Sequence, residues 1–365
     1  ANWMAAAGHG HEDAALFDTV RAVALEFCAQ LDLSIPVGKD SLSMKSSWQE
    51  DDGQRKQVIA PLSLIVSAFA PCSDVRRTLT PQLLRDQGET ELLLLDLGAG
   101  RNRLGGSALA QVHGASGNEA PDADAGLLRQ FFGAVQRLNA AGLILAYHDR
   151  SDGGLFATIC EMSFAGRVGV TLNLDTLMND VDGIDRAPDS LDGRLFGTLF
   201  NEELGAVLQI RREQRASVMQ LLREAGLGGV THLIGSLNEQ DELRVWRNAK
   251  QVFAASRTEL QRAWSETGYR IAGLRDDPTC AQEEFDALLD AADPGLSPHL
   301  TFDPAMDPAA PYVNTGARPW IAILREQGVN GQVEMAAAFE RAGFAPYDIH
   351  MSDLQTGRVM LKDFH

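Results

Sequence analysis

From Asp13 onward, apolar residues fall at three- and four-residue steps (Leu16, Val20, Val23, Phe27, Leu31), a spacing that predicts an amphipathic helix with Asp13 near its N-terminus. Extended chain follows. Ser34 to Met44 runs around the turn Pro36-Val37-Gly38, and Pro61 to Phe69 is a β-rich stretch bounded by prolines, so the opening of the chain reads as the end of an α+β domain. The pattern then changes: Leu92 to Leu95 is an unbroken apolar run typical of a buried strand, followed by a glycine-rich turn and the helical series Leu127, Phe131, Val135, Leu138 that closes at Gly142. A strand at Leu143 to Tyr147, a loop from His148 to Gly154, a helix through Phe164 and strands at Val168 to Leu174 and Leu204 to Ile210 come next. With a helix from Glu213 to Ala225 and strands near Leu233 and Val245, this is α/β layering. From Thr267 to Ala317 periodicity fades into Asp276-Asp277-Pro278 and Asp303-Pro304-type clusters, which predicts a linker. After Arg318 a βαβ unit is expected, with strand Trp320 to Leu324, helix Gln332 to Ala342 and strand Tyr347 to His350. The expected domains are residues 1–75, 76–255, a linker over 256–317, and 318–365.

A length of 365 residues suits two or three domains, and 45% apolar with 22% charged residues is a globular composition. The formal charge of −18 argues against a nucleic-acid partner, while leaving room for a small phosphorylated ligand, which needs only a local cradle of amides and a metal. Cys28, Cys72, Cys160 and Cys280 form no CxxC pair, so neither a disulfide scaffold nor a zinc knuckle is expected, and a reducing cytoplasm is the natural setting. No run approaches the ~20 apolar residues of a membrane span. The opening Ala-Asn-Trp-Met lacks a basic region before an apolar run, and the chain reads as an internal piece of a longer one.

The segment richest in chemistry is His148-Asp149-Arg150-Ser151-Asp152-Gly153-Gly154-Leu155, set between a strand and a helix. Such a turn offers backbone N–H groups and a positive dipole end to a phosphate; Asp149 or Asp152 suits Mg²⁺, and Ser151 suits a phosphate oxygen. The same residues also suit a plain helix-capping turn with Ser151 or Asp152 as N-cap. Pro36-Val37-Gly38-Lys39-Asp40-Ser41 joins a lysine, a carboxylate and a hydroxyl that could touch phosphate and metal, but it lacks Walker spacing, and as an isolated pattern is more often an ordinary strand entry. Gly98-Ala99-Gly100 with Gly105-Gly106-Ser107 lacks a glycine at position 103, so the dinucleotide fingerprint fails and a tight turn is expected. Asn201-Glu202-Glu203 offers paired carboxylates for a metal or a base, or a solvated strand entry. His9 and His11 fit a surface turn, and Cys160, beside Ile159 and Met162, fits a core position and not a nucleophile.

Three stretches in order, Asn2 to His9 (NWMAAAGH), Ile35 to Lys45 (IPVGKDSLSMK) and His148 to Leu155 (HDRSDGGL), resemble the large single-chain phosphoribosylformylglycinamidine synthases. A fourth, Thr315 to Pro319 with Arg325 to Asn330, is similar to that family's entry into its glutaminase domain. The resemblance spans nearly the whole chain. It implies aminoimidazole-ribonucleotide-synthetase-like domains, α/β and α+β, followed by the first βαβ unit of a class I glutamine amidotransferase (flavodoxin-like) domain. It further implies an ATP-dependent ligase of purine biosynthesis that converts formylglycinamide ribonucleotide and glutamine to formylglycinamidine ribonucleotide. The partners implied are the first synthetase half and the rest of the glutaminase domain. By motif, Asp149 is the implied Mg²⁺ ligand with Asp40 as a weaker one, and Ser151, Lys39, Asp152 and Gly153 are implied contacts to ATP or ADP. No residue of this chain is assigned a catalytic role, and the chain alone is expected neither to hydrolyse glutamine nor to form product. A different class of role, a non-catalytic half acting as a nucleotide-holding scaffold, is also implied by the family. A selenophosphate synthetase or thiamine-phosphate kinase relative is disfavoured by the glutaminase-like start at Arg318.

Overall fold

Why four consecutive leucines fall in one strand is answered by what covers the sheet. In the computed structural model, which describes all residues except 73, 179–190, 291, 294 and 297, Leu92 and Leu94 join a core with Leu155, Ile159 and Met162. Leu93 and Leu95 point the other way, into a core with Phe131, Val135, Leu138, Val218 and Leu222. Side chains alternate across a strand, so a sheet covered on both faces needs an apolar residue at every position instead of every second one. Full burial of each leucine contributes roughly 1.5–3 kcal/mol.

The chain divides into two compact units, Ala1–Asp293 and Pro294–His365. In the first, β1 (Asn2–Met4) pairs in parallel with β2 (Lys39–Ser41) and antiparallel with β5 (Ser63–Ile65), while β3 (Lys45–Gln49) and β4 (Arg55–Ile59) form a separate hairpin. The helical stretch between β1 and β2 is α-helical over Glu12–Val20, π-wound over Arg21–Phe27 and α-helical again over Cys28–Gln30.

The larger sheet comprises β6 (Thr90–Asp96), β7 (Ala146–Asp149), β8 (Gly169–Asn173), β9 (Gly205–Arg211), β10 (Thr231–Asn238), β11 (Glu242–Arg247) and β12 (Lys250–Ser256). Its strand order is β12-β11-β8-β10-β6-β9-β7; only the β8–β11 pairing is parallel. The helix Gly154–Gly166 packs on one face, and the helices Ala125–Ala140 and Arg215–Glu224 pack on the other. In the second unit β13 (Trp320–Arg325), the helix Gln332–Arg341 and β14 (Ala345–His350) make the expected βαβ unit, its strands parallel.

Two expectations need correcting. The stretch expected to be linker holds three helices among its described residues, Arg257–Arg275, Pro278–Ala287 and the short Ala310–Val313. Ser256 and Glu259 form a reciprocal capping box at the first, and Asp277 caps the second with Pro278 just inside it. Asp-Pro therefore starts a helix here, because proline at the first helical position sacrifices no hydrogen bond. The hairpin β3–β4 adds strands that the pattern does not predict; its turn runs Glu50 to Gly53, closed by the Gly53 amide on the Glu50 carbonyl at 2.9 Å, with Gly53 at φ +84° and the Asp52 carboxylate accepting from the Gln54 amide at 2.8 Å. Pro294 of the expected linker lies outside the described residues. Among the described residues, no helix is long and apolar enough to cross a membrane.

Candidate functional site

β7 is an edge strand of the large sheet, and its last residue, Asp149, opposes Ala206 of β9. The chain then turns sharply into the helix Gly154–Gly166. Two successive glycines make that turn: Gly153 has φ +79° and Gly154 φ +66°, a left-handed region that strains any residue with a Cβ. At Gly154 there is also no space, since a Cβ would lie 2.5 Å from the Asn201 carbonyl oxygen.

Within the loop, alternate residues have opposite fates. Arg150 is buried and donates to the Asp96 carboxylate at 2.5 Å, to the Glu203 carbonyl at 2.7 Å and to the Leu204 carbonyl at 3.0 Å. Asp149, Ser151 and Asp152 are exposed. Among the described residues, neither the amides of Ser151 and Asp152 nor the Ser151 hydroxyl donates a hydrogen bond. Asp149 Oδ1 accepts from the Tyr147 hydroxyl at 2.5 Å; burial first, and then this bond, push the Tyr147 phenol far above its ordinary value. The other carboxylate oxygen of Asp149 has no hydrogen-bond partner among the described residues. His148, before it, bonds Glu161 at 2.7 Å, and Glu161 also accepts from the Trp264 indole at 3.3 Å.

The segments singled out in the sequence converge here. Asp96 ends β6 and accepts from the Gly98 and Gly100 amides at 3.2 and 2.8 Å, fixing the turn Gly98-Ala99-Gly100 against the Arg150 side chain. Asn201-Glu202-Glu203 behaves neither as a metal-binding pair nor as a solvated entry. Glu203 is fully buried and grips Arg103 through two oxygens, at 2.7 and 2.8 Å. Burial pushes the Glu203 carboxyl up, but the hydrogen bonds from Arg103 outweigh it and hold the group below the usual carboxylate range; the same contact raises Arg103. Glu202 Oε1 instead accepts from two amides, Ala108 and Gly153, each at 2.8 Å.

The second predicted phosphate contact lies on a different sheet. Lys39 and Asp40 lie on β2 of the small sheet, Lys39 donates to Ser41 Oγ at 2.8 Å, and among the described residues no hydrogen bond or ion pair joins either residue to the 148–154 loop. His9 bonds Lys45 at 2.9 Å on the surface. Cys160 sits in the core, where burial pushes its thiol up to about 12. No group of three or more His, Cys, Asp or Glu poised for a metal occurs among the described residues. Asp149 still suits Mg²⁺, an ion that one or two carboxylates commonly share with phosphate oxygens and water.

Family comparison fixes the class. Residues 1–71 match the FGAR-AT PurM_N-like domain, residues 91–248 the C-terminal domain of AIR synthase related proteins, and residues 318–365 the CobB/CobQ-like glutamine amidotransferase domain. The fold is thus an AIR-synthase-like domain followed by the opening of an amidotransferase domain, as the motifs led one to expect. Taken together, the three matches support a phosphoribosylformylglycinamidine synthase fragment with a glutaminase-like start. Similar solved structures include Thermotoga maritima PurL complexed with ATP (12% identity, 71% of this chain and 36% of that one, TM-score 0.44). Another is the same protein complexed with FGAR (12%, 71% and 38%, TM-score 0.46). A third is E. coli HypE (17%, 68% and 70%, TM-score 0.41). The chain spans 36% of the length of the first of these.

Proposed function

We propose that this chain serves the ATP-dependent conversion of formylglycinamide ribonucleotide and glutamine to formylglycinamidine ribonucleotide, in the cytoplasm, and that its 148–154 loop holds ATP or ADP. The observation that carries the reading is the succession of three domain matches in one chain, a synthetase-like pair followed by an amidotransferase start. That pairing suits a ligase that activates an amide oxygen with the γ-phosphate of ATP and displaces it with ammonia taken from glutamine. The remaining domains of the enzyme would complete both chemistries.

The loop's geometry supports the nucleotide assignment. Buried Arg150 locks the backbone, so the exposed Ser151 hydroxyl and the Ser151 and Asp152 amides are held ready for phosphate oxygens at little further ordering cost. Magnesium held by the free Asp149 oxygen together with phosphate oxygens would neutralise phosphate charge. The tethering of this loop into the sheet at Arg150 also favours a second reading, in which the nucleotide is held as a structural clamp and does not turn over.

Asp149→Asn in the full-length enzyme tests both. ADP affinity measured by calorimetry should fall about tenfold or more, the loss of one charge-assisted contact. Unchanged affinity would sink the nucleotide assignment. If turnover disappears while Tm holds, the site is catalytic; if Tm drops and activity survives in the cold, it is a clamp.

A further inference from the structure

Glu202 is the residue that neither the motifs nor the phosphate chemistry accounts for. Its Oε1 bridges two backbone amides far apart in sequence, 94 residues away at Ala108 and 49 away at Gly153. One amide starts the helix Ala108–Val112 and the other precedes the helix Gly154–Gly166. Beside the Gly153 amide the carboxylate meets the positive end of the longer helix, so it answers the demand a phosphate would otherwise meet there. The Gly153 amide, expected to contact a nucleotide, is therefore already satisfied by the protein's own anion.

The surroundings of Glu202 form the floor of the loop. Gly154 presses against the Asn201 and Leu199 carbonyls with no room for a Cβ. The carbonyls of Glu203 and Leu204 hold the Arg150 guanidinium, and the Gly205 carbonyl accepts from the Arg150 amide at 2.9 Å. Residues 201–205 thus fasten the loop at its start through Arg150 and at its end through Glu202, leaving the Ser151 and Asp152 amides between the two fastenings without a partner among the described residues. Resting on the nucleotide reading above, we propose that Glu202 is a positioning residue for this site. Its carboxylate clasps the Gly153 and Ala108 amides, sets the aperture of the loop, and so directs the phosphate to Ser151 and Asp152 and away from the helix terminus.

The clasp needs an acceptor oxygen that reaches both amides, not a negative charge in contact with ligand, and this separates it from alternatives. In the full-length enzyme, Glu202→Gln keeps that acceptor and should leave ADP affinity within about threefold of the parent, whereas Glu202→Ala should lose about tenfold or more, from two lost hydrogen bonds. Glu202→Asp, too short to reach both amides, should fall between. Hydrogen exchange should show Gly153 and Ala108 losing protection together in the Ala variant and keeping it in the Gln variant. Should Glu202→Ala bind ADP as tightly as the parent or more tightly, the carboxylate is idle or a competitor and the proposal is overturned. Were Glu202→Ala to misfold, parental affinity in the Asp variant would overturn it equally. If the parent enzyme binds no ADP here, the nucleotide reading fails on its own, and the clasp is still judged by exchange: protection at both amides unchanged in the Ala variant refutes it.

Discussion

Residues 12–30 and residues 154–166 are both helical and both rich in apolar side chains, yet their environments are opposite. The first stretch buries none of its residues, and Phe17 and Leu25 stand exposed. The second buries Leu155, Ile159, Cys160 and Met162 against the large sheet, and even its hydroxyls, Thr158 and Ser163, are buried with hydrogen bonds to backbone carbonyls. Helical periodicity makes a helix possible; a covering surface makes it stable, because short helices draw most of their stability from packing. The consequence for function is direct. The candidate nucleotide loop joins the start of the well-packed helix, whereas Lys39 and Asp40 lie on a three-residue strand of the small sheet with both side chains exposed.

The sharpest way to break this contrast is at the loop's root. Arg150→Ala would leave the Asp96 carboxylate buried without its cation, and removal of one partner of a buried pair costs on the order of 3–5 kcal/mol. Urea unfolding of the large-sheet domain should show this loss; a change below about 1 kcal/mol would mean that water replaces the guanidinium and that the loop is not rigidly rooted. Next in size comes Met162→Ala, which empties space in a fully buried position and should cost about 2–5 kcal/mol by the same measurement.

How far the sequence revealed all this depended on the range of the interactions. The leucine run of β6 and the Leu127 to Leu138 series were legible because burial imprints a local period. The 148–154 loop was legible because two glycines beside two aspartates leave few backbone options. Local signals also exist at Asp52-Gly53, a hairpin dipeptide, and at Ser256 to Glu259, a capping box that opens a helix of weak apolar periodicity. The ion pairs beneath the loop left no such trace: Arg150 meets Asp96 across 54 residues and Arg103 meets Glu203 across 100, so no local spacing encodes them. For the same reason Glu202 and Glu203 looked like one acidic pair, although one reaches helix starts and the other an arginine.

A smaller effect follows from pH. Glu203 has a folded-state pKa below its unfolded one, so it contributes stability above the ordinary glutamate range, and that contribution is lost as pH falls through the folded value. Stability of the large-sheet domain should therefore decline on acidification below about pH 4.5, the upper end of glutamate titration. Glu203→Gln should start less stable at neutral pH and show a flatter acid limb; an unchanged slope would place the acid sensitivity elsewhere.

The least effect is expected at Phe17, and it tests the contrast from its other side. The ring is 67% exposed, so Phe17→Ala removes little packing, and the cost in this chain should stay within about 0.5 kcal/mol, the range of surface substitutions. Phenylalanine and alanine differ in helix propensity by only about half a kcal/mol, in alanine's favour, so even a slight gain is consistent. The informative comparison is the same substitution in the full-length enzyme. If the cost there rises to the 3–5 kcal/mol typical of a buried phenylalanine, the apolar face of residues 12–30 is covered in the complete protein, and the opposition between the two helices belongs to this chain alone. If it stays small in both, the helix is a true surface element whose apolar residues serve no core.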